Sequence, residues 1–233
     1  MPRSDRTELP LGGTAFLTDR ATQAGPGDLR RVVLVGRPGA GKGVQGARLA
    51  KRLGVRHVST GDLLRDEIVA SSPLGVAVER IVNAGRLVPT ELILAVVDAN
   101  LDHRGYVLDG FPRTIAQAEA LFSRPSIQPV VAIEIVVSAR TALDRLIDRA
   151  RIDDDPAVAR ARLETYEIET APVLEWLDDH RLLVRVDGQS PPDFVERNLW
   201  HALRTLARIR NGSSLSDAWA IGGSRDVLPS RPV

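Results

Sequence analysis

The chain contains no cysteine, which excludes disulfides and thiolate metal sites. It has almost no net charge, because 31 Lys and Arg stand against 30 Asp and Glu. The broad basic excess of a general nucleic-acid binder is therefore missing, and anions must be met by local clusters of arginine. No apolar run approaches the ~20 residues of a membrane-spanning helix. Residues 1–30 mix Arg, Asp, Glu, Gly and Pro without the apolar stretch of a signal peptide, so a cytoplasmic location is expected. An Asn-Lys-x-Asp guanine signature is absent too, which sets a GTPase switch aside.

What the chain does have is a glycine-rich loop in a telling context. Gly36-Arg37-Pro38-Gly39-Ala40-Gly41-Lys42-Gly43 follows the short β-branched run Val32–Val35 and precedes a helical pattern ending at Gly54. Strand, loop and helix in that order lift the G-x-x-x-x-G-K match above a chance turn. Glycines let successive N–H groups converge on one anion at the positive end of the helix. Lys42 adds a point charge for the β and γ phosphates.

Further strands are expected over Val55–Ser59, Tyr106–Asp109, Val130–Val137 (with Glu134 as its one charge) and Leu182–Val186. Helices alternate with them: Leu63 to Val69, Leu74 to Ala84, one N-capped by Thr90, Thr114 to Phe122, Arg140 to Arg149 and Pro192 to about Arg210. A long helix over Ala157–Asp179 should be kinked or divided by Pro172. The 233 residues, 43% of them hydrophobic, suit one α/β domain with small insertions. Five strands alternating with helices imply a parallel sheet covered on both faces, with ligands beyond the carboxyl ends of the strands. Residues 1–29 lack periodicity and are expected to be a disordered extension, residues 30–210 the domain, and residues 211–233 a disordered tail.

The motifs now narrow the chemistry. The loop around Lys42, the stretch Ser59-Thr60-Gly61-Asp62-Leu63-Leu64-Arg65, and Leu108-Asp109-Gly110-Phe111-Pro112-Arg113 followed by Gln117 resemble the adenylate kinase family. The resemblance covers about residues 31–205 and implies a P-loop three-layer fold. That fold carries a five-stranded parallel sheet, a small helical nucleoside-monophosphate-binding insertion at 59–88 and a vestigial lid at 149–156. The implied reaction is transfer of the γ-phosphoryl of ATP to AMP, giving two ADP. Such a transfer needs two polyanions held in line with their repulsion neutralised, and little covalent help.

By resemblance, ATP is held by Gly39, Ala40, Gly41, Lys42, Gly43 and Val44, with Arg145 stacking on adenine and Arg149 and Gln189 contributing. AMP is held by Thr60, Arg65, Gly85, Leu87, Val88, Gly110, Arg113, Gln117, Arg151 and Arg162. Lys42, Arg113, Arg149, Arg151 and Arg162 form the catalytic cation set, suited to phosphate by charge and, for arginine, by planar forks. Asp109 is implied to hold Mg²⁺ through water, and Asp153 and Asp154 to orient the lid arginines. Each arginine read alone is equally a solvated surface charge, and Asp109, Asp153 and Asp154 read alone are helix caps. Partners are then ATP and AMP, with no nucleic acid or membrane, and a monomer is expected. Two other readings stay open: the same fold phosphorylating another nucleotide or small metabolite, and a weakened nucleotide-binding module.

Two departures bear on the chemistry. Val44 stands where the family usually has Thr, removing a hydroxyl worth about 0.5–1.5 kcal/mol of hydrogen bonding near the phosphates. Only Ala150 separates Arg149 from Arg151, so the lid is shorter than the family's short form. A lid excludes water so that transfer to the acceptor outruns transfer to solvent. ATP hydrolysis without AMP is accordingly expected to exceed that of a longer-lid relative. Phosphate release assayed in AMP-free solution checks this, and negligible hydrolysis would refute it.

Overall fold

The computed structural model describes residues 7–8, 16–17, 29–102, 104–149 and 155–210. The rest of the expected extension, the tail from 211, and Arg151, Asp153 and Asp154 lie outside the described residues. In chain order the strands are β1 (Thr7–Glu8), β2 (Phe16–Leu17), β3 (Arg31–Val35), β4 (Arg56–Ser59), β5 (Tyr106–Asp109), β6 (Val131–Val136) and β7 (Leu183–Asp187). The α-helices are α1 (Lys42–Leu53), α2 (Thr60–Val69), α3 (Pro73–Asn83), α4 (Thr90–Asn100), α5 (Ile115–Phe122), α6 (Ala139–Arg149), α7 (Pro156–Thr165), α8 (Ala171–Asp179) and α9 (Pro192–Arg210).

Strands β4–β5–β3–β6–β7, in that order, form one wholly parallel sheet. Its central strand is the β-branched run before the glycine loop, and Val32, Val33 and Leu34 are fully buried. Residues buried on both faces of a strand need apolar cover on each side. Val32, Leu34, Ile133 and Val184 pack under Leu49 and Ala50 of α1 and Leu199 and Leu203 of α9. On the other face, Val33, Leu108, Ala132 and Leu183 meet Val97 of α4, Leu121 of α5 and Leu177 of α8. The result is the expected three-layer α/β architecture. From β3 the chain runs to one side for β4 and β5, and afterwards to the other for β6 and β7. The carboxyl end of β3 therefore lies at the switch point where α/β sheets open a crevice.

Local chemistry explains the boundaries. Helix α1 ends at Gly54 with φ +66°, and Val55 N donates to Ala50 O, a glycine-closed C-terminus. Helix α4 opens at Thr90 with Pro89, not Thr90, in the capping position, because the fixed φ of proline already sets the chain for the first turn. The long helix expected over 157–179 is divided into α7, a π-turn at Tyr166–Thr170 and α8. Pro172 lacks the N–H that an α-helix would require there, and the wide turn just before it absorbs the missing bond. Near the start of the chain, β1 and β2 pair antiparallel, Thr7 opposite Leu17, and β2 lies against β7. Strands of two residues carry too little periodicity to be read from sequence. Among the described residues no helix is long and apolar enough to cross a membrane.

Glu134, the one charge in its strand, sits directly across from Arg185 of β7. Its carboxylate accepts from Arg185 Nε at 3.0 Å, and Arg185 Nη1 reaches Asp178 of α8 at 3.2 Å. Burial pushes the Glu134 carboxyl up, and the Arg185 guanidinium pulls it back. Removing the partner leaves a buried charge uncompensated, which is costlier than removing both. Arg185→Leu is expected to lower stability by about 3 kcal/mol, and the double variant Glu134→Leu/Arg185→Leu to recover most of it, as read by urea denaturation.

Candidate active site

The glycine loop takes its shape from close backbone approach. At Gly36, with φ +131°, an added Cβ would stand 2.6 Å from Ile135 O; at Gly39, with φ +83°, it would stand 2.2 Å from Ala142 O. No other residue fits either position. Gly41 is the capping residue of α1 and offers no side-chain acceptor, and no acidic residue lies in the first turn. By contrast Ser59, Ser72, Thr114 and Asp155 cap α2, α3, α5 and α7 with their side chains. The positive end of α1 is thus left to whatever anion enters the loop.

Lys42 is half-buried in the same loop, its Nζ donating to Gly36 O at 2.8 Å and Arg37 O at 2.9 Å. Burial lowers its pKa to about 8; Asp109 opposes the shift, and Arg113 and Arg149 add to it. Asp109 closes β5 with little exposure, and Thr60 Oγ1 donates to its backbone carbonyl at 3.3 Å. His57 Nε2 stands 4.0 Å from Asp109 Oδ2, has no hydrogen-bond partner, and rests over Gly46, where a Cβ would be 2.4 Å away. Across from Asp109 Oδ2, a Cβ at Gly43 would be 3.7 Å distant, so the carboxylate faces the first turn of α1.

The opposite wall is built by the turn after β5. Gly110, at φ +82°, leaves room for Thr60 Oγ1, which a Cβ would approach to 2.7 Å. Arg113 Nε donates to Gly110 O at 2.7 Å, and Arg113 N donates to Gln117 Oε1 at 2.8 Å. Burial lowers the Arg113 pKa; Asp109 opposes, and Arg162 and Arg65 lower it further. Arg65 pairs with Asp62 at 2.5 Å one helical turn away. Gly85, at φ +70°, lets Arg162 of α7 pack so closely that a Cβ would meet its Cγ at 3.1 Å. On the far side, Arg145 Nη1 donates to Gly188 O at 2.9 Å, and Gln189 Oε1 accepts from Ser138 N at 3.3 Å.

A single cleft of about 940 Å³ joins these groups. Gly39, Ala40, Gly41, Lys42, Gly43, Val44, Arg145, Arg149 and Gln189 line it, as do Thr60, Arg65, Gly85, Leu87, Val88, Asp109, Gly110, Arg113, Gln117 and Arg162. Every site residue expected from sequence is on its wall except Arg151, Asp153 and Asp154, which lie outside the described residues. His57, Gln45, Thr165, Tyr166 and Thr170 also line the cleft and were not singled out from sequence. Tyr166 and Thr170 have the spacing of core positions, and only the π-turn brings them to the wall; Thr170 Oγ1 donates to Arg113 O at 3.0 Å. Among the described residues no three His, Asp or Glu gather as a metal cage.

The sequence has counterparts among known proteins. The family model described as Adenylate kinase matches residues 34–181. The Adenylate kinase of Synechococcus sp. (strain WH7803) is 42% identical over 178 residues, covering 73% of this chain and 96% of that protein. That of Stenotrophomonas maltophilia (strain R551-3) is 39% identical over 75% of this chain and 99% of its own length. That of Methylobacterium nodulans is 38% identical over 77% and 98%. A phosphate loop, an arginine-lined cleft and this likeness along most of the chain agree: the chain belongs to the adenylate kinase family.

Proposed function

We propose that the chain transfers the γ-phosphoryl of ATP to AMP by in-line displacement in this cleft. The observation that carries the reading is the gathering of Lys42, Arg65, Arg113, Arg149 and Arg162 on one wall system in a protein of net charge +1. Lys42 and the open N-terminus of α1 suit the donor phosphates, and Arg65 and Arg113 the acceptor phosphate. Arg149 and Arg162, with Arg151 in the short lid, take the charge that builds on the moving group. Closing two polyanions together in a site of low dielectric makes such fixed cations worth far more than in water. Arg145 and Gln189 border the donor base, and Gly85, Leu87 and Val88 the acceptor.

Hydrogen-bond directions favour an adenine acceptor. Thr60 has already donated its proton to Asp109 O, so its oxygen can only accept. Gln117 has committed its Oε1 to Arg113 N, so its amide can only donate. An acceptor beside a donor matches the exocyclic amine and ring nitrogen of adenine and opposes guanine, whose edge is reversed. Asp109, a buried carboxylate at a strand end facing the phosphate loop, fits a Mg²⁺ held through water. When bound with ATP, that ion supplies charge on the phosphate oxygens. Since every residue assigned a role comes from one chain, a monomer suffices.

The decisive assay is ADP formation from ATP with AMP, GMP, CMP or UMP. AMP is expected to lead, and calorimetry with diadenosine pentaphosphate to give one bound per chain. A chain that forms no ADP with any acceptor refutes the reading. Gln117→Leu is expected to lower kcat/KM for AMP about tenfold to a hundredfold with the KM for ATP little changed.

Lys42 gives a separate test. Its pKa of about 8 leaves it about half protonated at pH 8 without ligand, and a bound polyphosphate restores the charged form. Titration of Mg-free ATP at pH 8, in two buffers of different ionisation enthalpy, should show uptake of about half a proton per nucleotide, fading below pH 7. An absence of buffer dependence would show that Lys42 is already fully charged in the free chain.

A further inference from the structure

Arg37 is a cation of the phosphate loop that phosphoryl transfer leaves unassigned, and its contacts lead away from the cleft. Its Nε donates to Glu167 Oε1 at 2.9 Å and its Nη2 lies 2.8 Å from the same oxygen. Nη1 donates to Val137 O at 3.1 Å, just past the end of β6. The guanidinium also stands over the Tyr166 ring, 5.5 Å from its centre. All three guanidinium nitrogens are engaged, and Arg37 is not among the residues that line the cleft. Meanwhile the Arg37 carbonyl accepts from Lys42 Nζ and from Ala40 N at 3.0 Å. One residue thus holds the lysine of the loop with its backbone and the π-turn with its side chain.

The π-turn reaches both other parts of the site. It follows directly on α7, which carries Arg162, and its Thr170 hydroxyl holds the Arg113 carbonyl. The loop that faces the donor and the arginines that face the acceptor therefore meet through residues 166–170. We propose that Arg37 and Glu167 form a clasp that sets the phosphate loop at a fixed distance from Arg113 and Arg162. Arg37 is then a positioning residue that touches neither substrate. The pair is partly exposed, with side-chain exposures of 26% and 47%, so it adds little to global stability. Its role is register: a shift of about 1 Å between reacting groups can cost up to a hundredfold in rate.

The test uses Arg37→Ala, Glu167→Gln and the exchanged pair Arg37→Glu/Glu167→Arg in the full chain. Thermal melting should move by less than about 4 °C in each. Amide hydrogen exchange over residues 36–43 should quicken about tenfold in both single variants, with β5 and β6 unchanged, and the exchanged pair should recover protection. In the transfer assay, kcat should fall about tenfold while KM for ATP and AMP stay within about twofold, with recovery in the exchanged pair. The kinetic arm rests on the phosphotransfer reading, and the exchange arm does not. Unchanged loop exchange in folded variants, no recovery in the exchanged pair, or a raised KM at constant kcat overturns the clasp. If Arg37→Ala does not fold, Glu167→Gln, which keeps the side-chain size, decides alone. A parent chain that exchanges as expected yet forms no ADP supports the clasp and refutes the phosphotransfer reading.

Discussion

The structure depends on crowding like charges where nothing favours them until a ligand arrives. Lys42 and Arg113 are both half-buried, and desolvation and neighbouring cations lower the pKa of each. Among the described residues Asp109 is the carboxylate that opposes both shifts. It sits at the end of β5 opposite Leu34 of the central strand, so sheet register fixes where the compensation is applied. A cleft of this kind is strained in electrostatic terms when empty, and binding two polyanions relieves that strain.

Backbone carbonyls do the holding. Lys42 rests on Gly36 O and Arg37 O, Arg113 on Gly110 O, and Arg145 on Gly188 O. Each of these carbonyls lies in a turn at the carboxyl end of a strand, where glycine permits the needed approach. Neutral acceptors orient these cations without cancelling their charge, whereas Arg65 is oriented by the carboxylate of Asp62. Arg37 shows the contrast: paired with Glu167, it is orienting scaffold and no longer an available charge.

Much of this was legible in the sequence. The β-branched runs gave the five strands of the main sheet to within about two residues, because buried parallel strands leave a continuous apolar signature. Lys42, Arg65 and Arg113, singled out by their motifs, line one cleft. Less visible were positions whose role depends on neighbours distant in the chain. His57 reads as a strand residue until Gly46 and Asp109 are seen beside it. Tyr166 reads as an apolar position of a long helix, and its place on the cleft wall shows only in the fold. The pairing of Arg37 with Glu167 spans 130 positions and leaves no local trace. Glu134 was visible as an anomaly, and its explanation needed strand register with Arg185.

The π-turn at 166–170 also settles a matter of phase. A regular helix advances about 100° per residue, and a wide turn inserts roughly one residue beyond the regular count. Thus α8 is rotated by about a quarter of a revolution relative to a straight continuation of α7. Ahead of the turn the rod presents Arg162 to the cleft; behind it, Val173 and Leu177 are buried beneath the sheet. Two helical halves with different orientations can share one axis only because the winding between them is uneven. Chain length at this point is therefore constrained as tightly as composition, and a one-residue deletion would misalign the faces of both halves while leaving every side chain of the cleft in place in the sequence.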